Sequence, residues 1–230
     1  MSEIHYSIAL DGPAGAGKST VAKAIAEKLS WVYVDTGAMY RALALYFIEK
    51  ELAPEDEAGI SEAAAGAEVS INYPDGTQHV LLNGEDVTGK LREETVSAMA
   101  SKSSQYAAVR ARLLSLQREL ARTADVIMDG RDIGTVVLPE ATLKVFLTAS
   151  PRIRAKRRYE QLRQQGKLQG ATLSEIEAEI RDRDHRDSNR ENAPLRQAED
   201  AILLDSTSLT EEEVVLRIVE ALSRKTGKQF

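Results

Sequence analysis

The sequence predicts a three-layer α/β fold, an open five-stranded parallel sheet with helices on both faces. Three observations lead there. Short apolar runs of strand length alternate with segments whose apolar residues recur at helical spacing. The first apolar run feeds a glycine-rich stretch, Gly12 to Ser19, and a helical pattern starts directly after it. A single region, beginning near Val69, switches to the two-residue period of antiparallel strands and interrupts the alternation.

Taken in order, Ile4 to Leu10 reads as the first strand. From Lys18 onward Val21, Ala22, Ile25, Ala26 and Leu29 mark one face of a helix. Trp31 to Val34 is a second short strand, closed by Asp35-Thr36-Gly37, and a helix then runs through Tyr40-Arg41-Ala42-Leu43 to Lys50. The stretch 51–66 is acidic and alanine-rich, with no strong period. Val69, Ile71 and Tyr73 alternate, Pro74-Asp75-Gly76-Thr77 is a turn, Val80 to Leu82 is the returning strand, and Asn83-Gly84 turns again, with a third strand expected from Val87. Helical patterns follow at 92–102 and 106–122, then strands at Val126–Met128 and Leu143–Leu147. Ser150-Pro151 starts a helix, serine as N-cap and proline in the first turn. Gly166 to Gly170 is a flexible break. Thr172 and Glu175 form a capping box opening a long charged helix. Ala201–Leu204 is the last strand, and Thr210 with Glu213 caps the C-terminal helix.

At 230 residues, with a hydrophobic content of 43%, the chain suits one domain with insertions. No apolar run approaches the ~20 residues of a membrane span, and the N-terminus lacks a signal pattern, so no membrane partner and a cytoplasmic location are expected. There are no cysteines, which excludes disulfides and thiolate chemistry, and the three histidines are scattered. A net charge of -6 argues against nucleic acid as a partner. The arginines nevertheless cluster at 152–163 and 181–196, which suits either a local anionic ligand or a solvated helix face.

Gly12-Pro13-Ala14-Gly15-Ala16-Gly17-Lys18-Ser19 matches G-x-x-x-x-G-K-[ST] between a strand and a helix, the setting the phosphate-binding loop requires. Inward-facing backbone N–H groups and a helix N-terminus favour phosphate there. Lys18 would bridge the outer phosphates of ATP or GTP, and the Ser19 hydroxyl would ligate Mg²⁺. The fold expected is thus the P-loop NTPase type. No N-K-x-D motif for guanine is present, and the chain is short for a motor. A small-molecule kinase and an ATPase without an acceptor both remain open at this point.

The blocks DGPAGAGKST, VDTGAMYRALAL, DGRDIGTVVLPEA, RDRDHRDSNR and APL, spread over nearly the whole chain, resemble the bacterial type of cytidylate kinase. That resemblance implies transfer of the γ-phosphoryl group of ATP to CMP or dCMP, with Mg²⁺ as cofactor and a monomer expected. It divides the single domain into a core (1–60, 106–150 and 190–230), an inserted antiparallel-β and helical subdomain binding the nucleoside monophosphate (61–105), and a helical lid (151–189). ATP would lie on Gly12 to Ser19 and Thr20. Arg41, Arg131 and Arg190 would grip the acceptor phosphate, Tyr40 would pack beside the sugar, and Thr36 would join the same substrate site. Ser101, Arg110 and Asp132 would read the base. Arg183 and Asp187 would hold the ribose, although Arg183 and Asp187 also read as a helix-face ion pair. Arg186 and the lid arginines Arg157 and Arg158 would approach the transferring group beside Lys18. Asp129, ending its strand beside the phosphate loop, could act in the outer coordination shell of Mg²⁺. In the same loop Gly130 is expected to let the chain turn and Gly134 to loosen it. Gly166 and Gly170 are expected to flank a lid hinge.

Overall fold

The computed structural model describes residues 5–74 and 76–230. Ile4, placed above in the first strand, and Asp75, placed in the hairpin turn, lie outside the described residues. The main sheet has strands β1 (Ser7–Asp11), β2 (Val32–Asp35), β6 (Val126–Gly130), β7 (Leu143–Thr148) and β8 (Ile202–Asp205), in the order β2-β6-β1-β7-β8. All of its pairings are parallel.

Parallel sheets are covered on both faces, so their strands are apolar throughout rather than alternating. Ala9, Val126 and Met128 face one core with helices α2 (Thr36–Glu49), α4 (Glu94–Ser103) and α5 (Ala107–Thr123). Ile8, Leu10 and Ile127 face a second core with α1 (Lys18–Leu29) and α8 (Glu211–Thr226). Central β1 thereby carries its last residue, Asp11, to the carboxyl edge between two parallel neighbours, where open α/β sheets bind ligands.

The antiparallel interruption is a three-stranded sheet of β3 (Val69–Asn72), β4 (His79–Leu82) and β5 (Glu85–Asp86). The third strand is thus Glu85–Asp86, two residues before the expected Val87. Val87 instead turns inward and, with Val80 and Leu82, joins the α2 core. A helix absent from the sequence reading, α3 (Glu57–Gly66), fills most of the acidic stretch. It is capped by Asp56, whose carboxylate accepts from Gly59 N at 3.0 Å. Helices α6 (Pro151–Gln164) and α7 (Leu173–Asn189) pair around a small core of Ala155, Ile176 and Ile180. Both predicted capping boxes, at Thr172 and Thr210, are present.

Three glycine readings change. Gly166 and Gly170, at φ +67° and +83°, close the turn between α6 and α7. A hinge there would open the helical pair rather than swing it as a body, so the predicted lid hinge is not supported at that place. Gly130 does not turn the chain; it is the last residue of β6. Its missing side chain serves close approach. A Cβ there would lie 2.6 Å from Ile133 Cδ1 and 2.9 Å from Thr36 Oγ1. Gly130→Ala is therefore expected to cost about 1–3 kcal/mol of stability, the range for overpacking, read by denaturant unfolding. Gly134 is likewise not loose. It sits in a π-helical turn, Ile133–Val137, with its N–H fixed on Asp11 at 2.7 Å.

Candidate active site

The phosphate loop owes its path to glycine. At Gly12, φ is +147° and a Cβ would fall 1.9 Å from the Leu147 carbonyl oxygen, so no other residue fits against β7. The loop wraps back to α1, whose first residues are Lys18, Ser19 and Thr20. Lys18 is 6% exposed and its Nζ donates to Pro13 O at 2.9 Å. Burial, and then the nearby Arg131 guanidinium, lower its pKa to about 7. An anion against this ammonium would reverse both costs.

Helix α6 grips the loop from outside. Arg154, buried, donates to the carbonyls of Ala14 at 3.0 Å and Ala149 at 2.8 Å, and it pairs with Asp184 of α7. Arg157 donates to Ala16 O at 3.2 Å and Ser206 O at 2.8 Å. Arg158, in contrast, lies exposed and bonds Gln161 of its own helix at 3.0 Å. Arg186 is exposed on α7.

On the other side of Lys18, buried Asp129 accepts from Ser19 Oγ and from Tyr33 OH, each at 2.9 Å, while its backbone carbonyl accepts from Thr36 Oγ1 at 2.7 Å. Burial first, and then the Asp35 carboxylate, raise its pKa to about 6. Asp11 is similarly pushed up to about 6 by burial, even though Ile133 N and Gly134 N donate to it at 2.8 and 2.7 Å. The folded Asp11 therefore keeps a proton that the unfolded chain loses near its ordinary 3.8. Its stability contribution is full below about 3.8 and is lost as the pH rises through about 6. Asp11→Asn, which cannot titrate, should trail the wild type most at pH 4.5, with the gap narrowing by pH 7.5. Thermal midpoints at the two pH values check this.

A second group of charged side chains follows the end of β6 at Gly130. Arg131 Nε pairs with buried Asp187 at 2.8 Å. Burial pushes the Asp187 carboxyl up, but the Arg131 charge and hydrogen bond, joined by the charges of Arg183 and Arg190, together hold the pKa below the ordinary value. Asp187 is thus tied to Arg131 across the site, and the alternative of a helix-face pair with Arg183 gives way. Asp132, 4% exposed, pairs with Arg110 and, at 3.4 Å, with Arg190. Arg190 also donates to Ala193 O at 2.7 Å. The Arg110 guanidinium lies over the Tyr40 ring, 5.7 Å from its centroid. Beneath them opens a cavity of about 320 Å³ lined by Tyr40, Arg110, Gln117 and Asn192, among others. Arg41, on α2, is held by Asp35 at 2.9 Å.

Among the described residues, Arg41 Nε, Ser101 Oγ and Arg183 Nε are buried with no hydrogen-bond partner, as is Thr135 Oγ1. Buried polar groups are normally paired, and three of these four belong to residues singled out for the acceptor nucleotide. Burial and then Arg131 lower the Arg183 pKa to about 10, so this cation too is short of negative charge.

The cytidylate kinase family model matches residues 8–224. A cytidylate kinase of Caldicellulosiruptor bescii is 50% identical over 93% of this chain and 94% of its own length. One of Bacillus velezensis is 48% identical over 96% and 97%. The chain belongs to the cytidylate kinase family. A solved structure of an uncharacterised Eubacterium ventriosum protein, 12% identical, covers 95% of this chain and 99% of its own at a TM-score of 0.52, a likeness of fold alone.

For a kinase of the cytidylate kinase family, the sequence reading missed several residues that shape the site. Asp35 stands inside the quoted block VDTGAMYRALAL yet received no role; its place before a helix was the available signal for a cap. Tyr33, Asp11, Arg154 and Asp184 act on partners far away in sequence, and nothing local announces them. Arg154 did lie within the arginine cluster at 152–163, but the cluster alone did not separate it from Arg157 and Arg158.

Proposed function

We propose that the chain transfers the γ-phosphoryl group of ATP to CMP and dCMP, giving CDP and dCDP. The observation that carries this reading is Asp132, a buried carboxylate gripped by Arg110, which itself lines the cavity together with Tyr40. Cytosine presents an amine donor beside the acceptors N3 and O2. A carboxylate accepts from the amine while an arginine donates to the acceptors. Uracil would turn O4 lone pairs toward Asp132 and lose that match. The unpartnered Ser101 Oγ and Arg183 Nε fit the polar edges of such a nucleotide, at the base and the ribose respectively. Arg41 and Arg131, with Arg190 behind Asp132, supply positive charge for its phosphate.

The donor side is read the same way. ATP lies on Gly12 to Thr20, with Lys18 against the outer phosphates. The Ser19 hydroxyl and the Asp129 carboxylate, 2.9 Å apart, form an all-oxygen pair of the kind Mg²⁺ prefers. Ser19 would hold the ion directly and Asp129 would orient its surroundings. Mg²⁺ would neutralise phosphate charge. A monophosphate oxygen is already a competent nucleophile, so the chain needs no general base; its task is alignment and charge neutralisation. Lys18 and Arg131 lie close enough for the Arg131 charge to act on the Lys18 ammonium, and each would offset charge on the equatorial oxygens. Of Arg157 and Arg158, Arg157 is the better placed to help, because it already touches Ala16 of the loop while Arg158 bonds within its own helix.

An assay of ATP consumption with and without acceptor tests the reading. Consumption should depend on CMP and release CDP. Equal consumption without an acceptor would favour an ATPase instead.

A further inference from the structure

Strand β2 is an edge of the main sheet. Its inner side pairs with β6, and Val32 N donates that way, to Asp125 O at 2.9 Å. Backbone groups alternate sides along a strand, so those of Tyr33 and Asp35 face outward, where an edge normally meets water. Here two side chains of the antiparallel hairpin take their place. Tyr73 OH donates to Tyr33 O at 3.1 Å. Gln78 meets Asp35 twice: its Oε1 accepts from Asp35 N at 2.8 Å and its Nε2 donates to Asp35 O at 3.2 Å. A primary amide carries one acceptor and a donor pair, so Gln78 stands in for the peptide of a further strand.

Asp35 is not an ordinary edge residue. Its carboxylate caps α2, accepting from Ala38 N at 2.9 Å, and holds Arg41 Nη2 at 2.9 Å. Gly37 leaves room for this pair, since a Cβ there would lie 2.9 Å from Arg41 Nη1 and 3.1 Å from Asp35 Oδ1. Arg41 Nε remains buried and unpartnered beside it. The Gln78 clasp fixes the peptide groups on both sides of the Asp35 Cα, and with them the direction of the carboxylate that aims Arg41. We propose that Gln78 is a positioning residue for the acceptor phosphate: the inserted hairpin sets Arg41 through the backbone of Asp35. This rests on the reading of Arg41 as an acceptor-phosphate contact.

The test is a double-mutant cycle on KM for CMP and KM for ATP, with thermal midpoints as a check on folding. Gln78→Ala should raise KM for CMP about 10-fold, the scale of effect for a displaced positioning group, and leave KM for ATP within about twofold. Gln78→Glu keeps the size but turns a carboxylate toward the Asp35 carbonyl, and should raise KM for CMP similarly. In an Arg41→Ala background, Gln78→Ala should add nothing further, because its route runs through Arg41. Tyr73→Phe removes the other strut of the hairpin and should change KM for CMP much less. Additive effects of the Gln78 and Arg41 substitutions would overturn the proposal, as would a Tyr73→Phe variant as impaired toward CMP as Gln78→Ala. Failure of Gln78→Ala alone, with Arg41→Ala impaired, overturns only this inference. An Arg41→Ala variant with unchanged KM for CMP overturns both it and the reading of Arg41.

Discussion

Lys18→Ala is expected to lower kcat by about 1,000-fold, or ~4 kcal/mol, the scale seen when a preorganised charge is removed from a water-poor site. Lys18 is buried, its Nζ is held at Pro13 O, and its ammonium is destabilised by burial and by Arg131. A buried cation poised without a full counter-charge interacts most strongly with charge that develops beside it. On the proposed reading, phosphoryl transfer spreads negative charge over oxygens at that position, so the loss should fall on kcat more than on KM for ATP. Steady-state rates at saturating CMP separate the two. Lys18→Arg should recover little, since a planar guanidinium does not fit the space of a compact ammonium. A kcat within about 10-fold of wild type for Lys18→Ala would remove Lys18 from the transition state.

Asp132→Ala is expected to lower kcat/KM for CMP by at least about 30-fold, or ~2 kcal/mol, the cost of a lost buried hydrogen bond to a charged group. Two effects combine. On the proposed reading the cytosine amine loses its acceptor, and Arg110 and Arg190 lose the carboxylate they pair with. The second loss affects any pyrimidine nucleotide, whereas the first affects cytosine alone. UMP should therefore suffer less, and the ratio of CMP to UMP activity should fall. An equal fall for both substrates would assign Asp132 to holding the two arginines and not to reading the base. A parallel measurement of the thermal midpoint keeps a folding defect from imitating either result.

Much of this architecture could be read from the chain because its signals are local. The phosphate loop announces itself by glycines at fixed offsets, and the strands by apolar runs that both faces of a parallel sheet demand. Thr172 and Thr210 reach only three residues ahead for their capping partners. Helix α3 escaped because its alanines fall on both faces, Ala58 and Ala65 exposed and Ala64 buried, so the i, i+4 pair of Ile60 and Ala64 does not stand out. The π-helical turn at Ile133–Val137 has no sequence signature. It is set by Asp11 of a different strand, which takes two successive N–H groups.

The site divides in the same manner. Asp132, Arg110 and Arg190 were chosen through their resemblance to a family pattern, and the fold brings them together although they come from three separate elements. Arg158 and Arg186 were chosen equally, from the same arginine-rich segments, and stand exposed. Helical spacing distinguishes faces of a helix but not which face meets the phosphate loop; that depends on how α6 docks, which Arg154 fixes through Ala14 and Asp184. The contact of Gln78 with Asp35 lay beyond reach for a simpler reason. A glutamine in a hairpin carries no local mark of a partner on another sheet.

The central claim is that the acceptor is a cytidine monophosphate, recognised at its amine by a buried carboxylate. It is tested most directly on the unaltered protein, by comparing kcat/KM for CMP, dCMP and UMP at fixed ATP. CMP and dCMP are expected to exceed UMP by about 100-fold or more, because a site built around a hydrogen-bonding group strongly rejects a substrate that leaves that group mismatched. UMP activity equal to that on CMP would contradict the account.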